Sequence, residues 1–177
     1  NVVSHGQKTY NGVAILSKHD IEVTQIGLPG DDTDEQARYI EANINEIRIA
    51  SIYLPNGNPC PGPKYDYKLA WMDRLYKRAE YLINLEIPVV LAGDFNVIPQ
   101  PIDCYDAKAW LDDALFRQET RSKFFSLCNL GYTDALRQIH PTSAHYTFWD
   151  YQQGSWQRNK GLRIDHFLVS DNMISNL

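Results

Sequence analysis

The chain lacks any apolar run long enough to cross a membrane as a helix, and its first residues lack a signal-peptide pattern. Cysteine is scarce. Cys60, Cys104 and Cys128 are odd in number, widely spaced and without a CxxC pair. That argues against a disulfide framework and a structural zinc site, and favours a reducing compartment. His5, His19, His140 and His145 show no metal-ligand spacing. Excess positive charge is missing too. The formal net charge is −5, which argues against nucleic-acid binding through bulk charge. Repeats, low-complexity tracts and linkers are absent, so residues 1–177 read as one domain. The chain opens on Asn1 rather than Met, as a processed, engineered or partial chain would.

What is present is enough for a sizeable core: 177 residues, 44% hydrophobic and 12% aromatic. The charge is uneven. Asp31, Asp32, Asp34 and Glu35 form an acidic loop. Arg117, Arg121 and Lys123 cluster on a helix-like segment, and Arg158, Lys160 and Arg163 cluster late. Basic clusters on an acidic protein suit phosphate contacts, because the relevant field is local; solvated surfaces carry them as well.

The organising stretch is Pro88 to Pro99. Val89, Val90, Leu91 and Ala92 read as a buried strand that stops at Gly93. Asp94 and Asn96 follow. If the chain stays extended there, both point one way and Phe95 the other. A carboxylate and an amide at a strand end could orient a water or a hard cation. The same two residues would equally serve a strand that ends in a turn.

Around this stretch, Gly12 to Ser17 reads as a strand after the Asn11-Gly12 turn signal. Arg38 to Ile44 and Glu46 to Leu54 read as a hairpin about Asn45. Four prolines make residues 55 to 63 a loop. Residues 64 to 86 form the longest predicted helix. Leu69, Met72, Leu75, Tyr76, Ala79, Leu82 and Ile83 make its apolar face, with Lys68, Arg74, Lys77 and Arg78 between them. Residues 107 to 116 and 119 to 129 read as helices, Gly131 as a stop, 146 to 150 as an aromatic strand and 161 to 170 as a last strand. Such an order predicts sheets packed face to face with helices outside.

Five segments then stand in order: Gly12-Val13-Ala14-Ile15-Leu16-Ser17, Tyr53-Leu54-Pro55-Asn56-Gly57, Gly93-Asp94-Phe95-Asn96, Tyr146-Thr147-Phe148-Trp149-Asp150-Tyr151 and Gly161-Leu162-Arg163-Ile164-Asp165. Together they resemble the exonuclease III type of abasic-site endonuclease, in the endonuclease/exonuclease/phosphatase superfamily. The resemblance implies an α+β fold, the four-layer α/β/β/α sandwich of the DNase I-like type, incomplete at both termini. It implies a DNA-repair phosphodiesterase that cleaves 5′ to abasic sites and removes nucleotides 3′ to 5′ from duplex DNA. Implied with it are a cytoplasmic bacterial setting, a monomer at full length and Mg2+ as cofactor, with Mn2+ as the alternative.

By the same resemblance, Tyr53 is the active-site tyrosine near the scissile phosphate. Asp94 orients and deprotonates the attacking water, Asn96 is its amide partner, and both are metal ligands. Asp165 orients a catalytic histidine. Asn56 contacts a DNA phosphate. Phe148, Leu162 and Ile164, supported by Trp149, form an apolar pocket for a base-less deoxyribose. His166 neighbours Asp165 but falls on the opposite face of a strand, and reads as structural. The chain departs from the family at its ends: the metal-binding glutamate before the first strand and a terminal Ser-Asp-His segment have no counterpart. On that ground the 177 residues alone are expected to be inactive or weak. Two rivals remain open, another phosphoesterase of the superfamily and a non-catalytic DNA-binding remnant.

Overall fold

The computed structural model describes residues 1–177. β1 (Val2–Gly6) and β2 (Gly12–Leu16) form an antiparallel hairpin. Side chains of β2 alternate, so Val13 and Ile15 are buried while Ala14 and Leu16 face solvent. β3 (Glu22–Ile26), β4 (Tyr39–Ile44) and β5 (Ile47–Tyr53) follow as an antiparallel meander. Ile44 pairs with Ile47 across a two-residue turn, and Asn45 and Glu46 take positive φ of 49° and 67°. Two positive φ values are what a tight hairpin matched to strand twist requires. The predicted hairpin about Asn45 is therefore present.

Helix α1 (Pro63–Ile83) carries the chain over to β6 (Val89–Asp94), which lies parallel to β5. Pro63 suits the first helical position, where no N–H partner is needed. The helix ends three residues before the predicted Glu86, which instead has φ 57° in the turn into β6. Then come α2 (Gln118–Asn129), β7 (Tyr132–Asp134), α3 (Ala135–Ile139), β8 (Phe148–Trp149), β9 (Gly161–Leu162) and β10 (Asp165–Ser170). The main sheet has the order β3-β4-β5-β6-β10-β7, and β8 and β9 form a separate two-stranded ribbon.

One face of the sheet receives α1 and α2. Trp71, Met72, Leu75, Ala79 and Leu82 of α1 and Phe124 and Leu127 of α2 pack on Tyr39, Ala50, Ile52, Val89, Leu91 and Leu168. The opposite face receives the hairpin, with Val13 and Ile15 against Ile40, Ala42 and Ile44. A third cluster, including Tyr65, Ile98, Leu115, Phe116, Leu162 and Ile164, fills the end of the sheet where β6 stops. Helices, a mixed sheet and facing strands make this the α+β, DNase I-like sandwich that was expected.

Three predicted elements differ. Residues 107 to 116 form only a 3-10 turn at Ala107–Trp110 rather than a helix. The Asp113 side chain takes the backbone N–H of Leu115 at 2.8 Å, and such local capture competes with helical bonding. The aromatic strand shrinks to Phe148–Trp149. The last strand is broken at Arg163 and Ile164, so that β9 pairs with β8 while β10 pairs with β6 and β7. The break has a cause. The buried Arg163 guanidinium is held by Asp103 at 2.7 Å and Asp134 at 2.8 Å, and the Arg163 backbone N–H donates to the Asp103 carbonyl at 2.7 Å. This correction extends to the late basic cluster, because Arg163 is fully buried and unavailable to a phosphate. The other cluster is also engaged: Arg121 donates to the Pro99 carbonyl, Arg117 lies over the Tyr65 ring and Lys123 pairs with Asp73.

Candidate active site

Strand register alone builds the centre. Tyr53 is the partner of Asp94 across the parallel β5–β6 pair, and Asp165 is the partner of Asp94 across the antiparallel β6–β10 pair. Neighbouring strands lie about 4.8 Å apart, so three residues distant in sequence stand in one row at one end of the sheet. Gly93 lets β6 lie this close to β5. A Cβ there would come within 2.1 Å of the Ile52 carbonyl oxygen.

Past Asp94 the chain does not stay extended. Asn96 adopts φ 48°, and its backbone N–H donates to Asp94 Oδ1 at 2.8 Å. The turn brings the Asn96 side chain back as well: Nδ2 donates to Asp94 Oδ2 at 3.1 Å and to the Leu54 carbonyl at 2.8 Å. The two readings of this pair are thus one structure. Asp94 and Asn96 meet because they form a turn. Phe95 points inward and packs edge-on against Phe124 and His166. Asn56 joins the group by donating from Nδ2 to Asn96 Oδ1 at 3.1 Å.

The electrostatics of the row are unbalanced. Burial pushes the Asp94 carboxyl up to about 6, and the neighbouring Asp165 charge adds to the rise; the Asn96 N–H, Lys68 and Arg38 oppose it. Lys68, expected between the apolar positions of α1, is instead wholly buried. Its Nζ donates to the Asn96 carbonyl at 2.6 Å and to the Asn56 carbonyl at 3.0 Å. Burial pulls its ammonium down to about 7, against the pull of Asp113 and Asp94. The signal for Lys68 was in the spacing, since it stands three residues after the buried Tyr65 and four before the buried Met72.

Arg38 was also missed. Its guanidinium lies 4.8 Å from the Tyr53 ring centroid and donates to the Tyr53 carbonyl at 3.1 Å. With Gln36, Asn56, Asn58, Lys64 and Tyr67 it lines an open groove of about 410 Å³ beside the row. Asp165 is exposed, and its backbone N–H is held by Thr147 Oγ1 at 3.1 Å. His166 faces the other way, as expected. It accepts from Arg163 through Nδ1 at 3.0 Å and donates through Nε2 to the Val97 carbonyl at 2.9 Å. Burial holds it neutral, with its pKa down to about 4.

The expected apolar pocket is divided. Phe148 and Leu162 pair across β8 and β9 and line a pocket of about 230 Å³ with Tyr105, Trp110 and Lys160. Ile164 lies in the core beneath them. Trp149 points to the other side, where its ring packs on Trp156 at 4.5 Å and on Tyr146 at 6.2 Å. Alternation along a strand separates Phe148 from Trp149.

Such an arrangement can orient a water against a carboxylate and can bind an anion in the groove beside it. For a metal, the side chains at hand are oxygen donors: Asp94, Asp165 and the Asn96 amide, whose oxygen accepts one bond from Asn56. No group of three or more His, Cys, Asp or Glu side chains could hold an ion. The donor set suits a hard cation in kind. Two adjacent carboxylates, one with a raised pKa, are a place where a cation would relieve repulsion.

The Endonuclease/Exonuclease/phosphatase family model matches residues 1–175. An exodeoxyribonuclease of Bacillus subtilis is 31% identical over 170 residues, which are 94% of this chain and 66% of that protein. The DNA repair nuclease APEX1 of Danio rerio is 32% identical over 98% of this chain and 56% of its own length. Among solved structures, the 3′ phosphatase NExo from Neisseria bound to product DNA hairpin has a TM-score of 0.96 at 40% identity, over 99% of this chain and 68% of that one. An AP endonuclease from Archaeoglobus fulgidus has a TM-score of 0.93 at 35% identity, over 98% and 68%. The chain therefore spans from over half to about two thirds of the length of these four relatives.

Proposed function

Since the chain belongs to the endonuclease/exonuclease/phosphatase family, we propose that the protein carrying it is a DNA-repair phosphodiesterase that cleaves 5′ to abasic sites and trims duplex DNA from 3′ ends. The observation that carries the reading is the row Tyr53–Asp94–Asp165 closed by Asn96. Relatives with nuclease names at about a third identity support it.

In this reading Asp94 is the general base for the attacking water. A carboxyl near 6 is still largely ionised at neutral pH and holds a proton more readily than an ordinary aspartate, which suits that task. Asn96 fixes the carboxylate through both its N–H groups. Tyr53, beneath the Arg38 guanidinium, offers its hydroxyl to a phosphoryl oxygen. Asn56 and the Arg38–Lys64 groove take the flanking phosphates of the strand. Asp165 has the role of orienting a catalytic histidine. Phe148 and Leu162 receive the sugar, and Trp149 and Ile164 back them from either side. Mg2+ would be held by Asp94 and by the second lone pair of the Asn96 amide oxygen, with Mn2+ as substitute. When bound it supplies positive charge against the phosphoryl oxygens. We place the protein in the cytoplasm as a monomer, acting on damaged duplex DNA.

A second reading, removal of a 3′-phosphate, is favoured by the likeness to the Neisseria phosphatase. One assay separates the two. The protein at its full gene-encoded length is given three duplexes with Mg2+: one with an abasic analogue, one with a 3′-phosphate and one undamaged. Incision at the abasic analogue that Asp94→Asn abolishes supports the first reading. Release of phosphate alone supports the second. Turnover of none of the three, or turnover indifferent to Asp94, overturns both.

A further inference from the structure

Lys68 is the only fully buried lysine of the chain, and its ammonium meets no carboxylate within salt-bridge distance. What it meets are two main-chain carbonyls on separate loops. One belongs to Asn96, in the turn after β6, and the other to Asn56, in the loop after β5. These are the residues whose side chains bond to each other, Asn56 Nδ2 to Asn96 Oδ1. Asn96 in turn grips both oxygens of Asp94. The stem of Lys68 is enclosed as closely as its head. At Gly57, which has φ +91°, a Cβ would come within 2.7 Å of Lys68 Cδ, so the Asn56–Gly57 backbone lies directly over the lysine methylenes.

Burying a lysine head is unfavourable, and a norleucine-like stem would fill the same space without that cost. Donors kept in this place tie two loops together, which packing alone does not. The two carbonyls they join carry the side chains that set the Asp94 carboxylate. Deep in helix α1, whose flank lies in the main core, the lysine makes one fixed point from which both loops are measured.

We propose that Lys68 is a positioning residue of the active site: its ammonium clamps the Asn56 and Asn96 carbonyls, and so holds the Asn56–Asn96 amide pair and the Asp94 carboxylate in reacting geometry. This rests on the phosphodiesterase reading above. Displacing reacting groups by an ångström can cost about a hundredfold in rate.

The test compares Lys68→Met, which keeps the stem and removes the donors, with Lys68→Arg, which keeps donors, in the full-length protein with an abasic-analogue duplex. Asp94→Asn is the control. We expect Lys68→Met to lower kcat by about tenfold to a hundredfold with KM within threefold of wild type. Lys68→Arg should recover part of that kcat while melting at or below the temperature of Lys68→Met, since a larger head must fit under Gly57. Recovery of rate without recovery of stability separates the clamp from mere packing. If Lys68→Met does not fold, Lys68→Leu takes its place with the same limits. A folded Lys68→Met or Lys68→Leu with kcat within twofold of wild type overturns the proposal, as does a Lys68→Arg no faster than Lys68→Met. If Asp94→Asn also retains wild-type rate, the phosphodiesterase reading falls rather than the clamp alone.

Discussion

Two groups of acids lie around β6, β7 and β10, one of them including Asp103 of the 3-10 turn Pro101–Asp103, and they are built on opposite rules. On one side Asp103 and Asp134 face the Arg163 guanidinium at 2.7 and 2.8 Å, and Asp103 also pairs with Arg137. Burial would raise the Asp103 carboxyl, but the two guanidinium partners outweigh it and hold it below its ordinary value. On the other side Asp94 stands beside Asp165 with no cation bonded to either, and burial lifts it to about 6. The first group has its charge satisfied inside the protein and can only support structure. The second holds two carboxylates side by side, hydrogen-bonded by Asn96 but bonded to no cationic side chain, and its carboxyl is perturbed in the way that functional carboxylates are.

The contrast can be broken from either side. The largest effect is expected from Asp94→Asn in the full-length protein: incision of an abasic duplex should fall about a thousandfold, the range of a lost general base. Folding stability should not fall, because the substitution removes a buried charge and its repulsion with Asp165. A stability loss larger than the rate loss would place Asp94 with the structural acids. Asp103→Ala should do the reverse. It strands two guanidinium groups, one fully buried, and should cost about 3 to 4 kcal/mol in urea unfolding. Activity per folded molecule should stay within a few-fold.

Acid should act on the structural side next. His166 is neutral when folded, with a pKa of about 4 against an ordinary 6.5. Below pH 6.5 the unfolded chain binds a proton that the folded chain refuses. Stability is therefore full above pH 6.5, falls as pH drops, and loses roughly 3 kcal/mol by pH 4. Asp94 titrates in the opposing sense, since its raised pKa makes protonation favour the folded state between 6 and 3.8. The loss should show cleanly in Asp94→Asn with chelator present, and be smaller in wild type. Equal pH slopes in the two proteins would remove the distinction between the groups. The smallest effect is expected at Phe148, which is 39% exposed. Phe148→Ala should lower kcat/KM for the abasic duplex by about tenfold while changing the melting temperature little.

Much of this was legible in local pattern. The Asn45–Glu46 hairpin, a strand following the long helix, and the inward face of His166 all follow from periodicity and turn chemistry. Asp94 and Asn96 stood out as polar residues at a strand end, whereas the roles of Tyr53, Asn56 and Asp165 came only with the family resemblance. Lys68 and Arg38 were passed over because a basic residue in a helix or strand is usually solvated, and the contacts that keep these two in place come from segments far along the chain. The predicted helix at 107 to 116 failed for a similar reason. Asp113 bonds both to Leu115 and to Asn58, and the second bond is invisible to local reading.

The residue types, the buried strand through Val89–Ala92 and the polar residues at its end were determined by sequence alone, because turn chemistry and side-chain alternation act over a few residues. Tertiary structure decided which of those polar residues share a site. Register set Tyr53, Asp94 and Asp165 in one row, the buried Arg163 lies at the break between β9 and β10, and burial, with Asp165 alongside, lifted the Asp94 carboxyl to about 6 against the pull of the Asn96 N–H, Lys68 and Arg38. Each of these depends on desolvation and pairing between distant segments, and both exist only once the chain has folded.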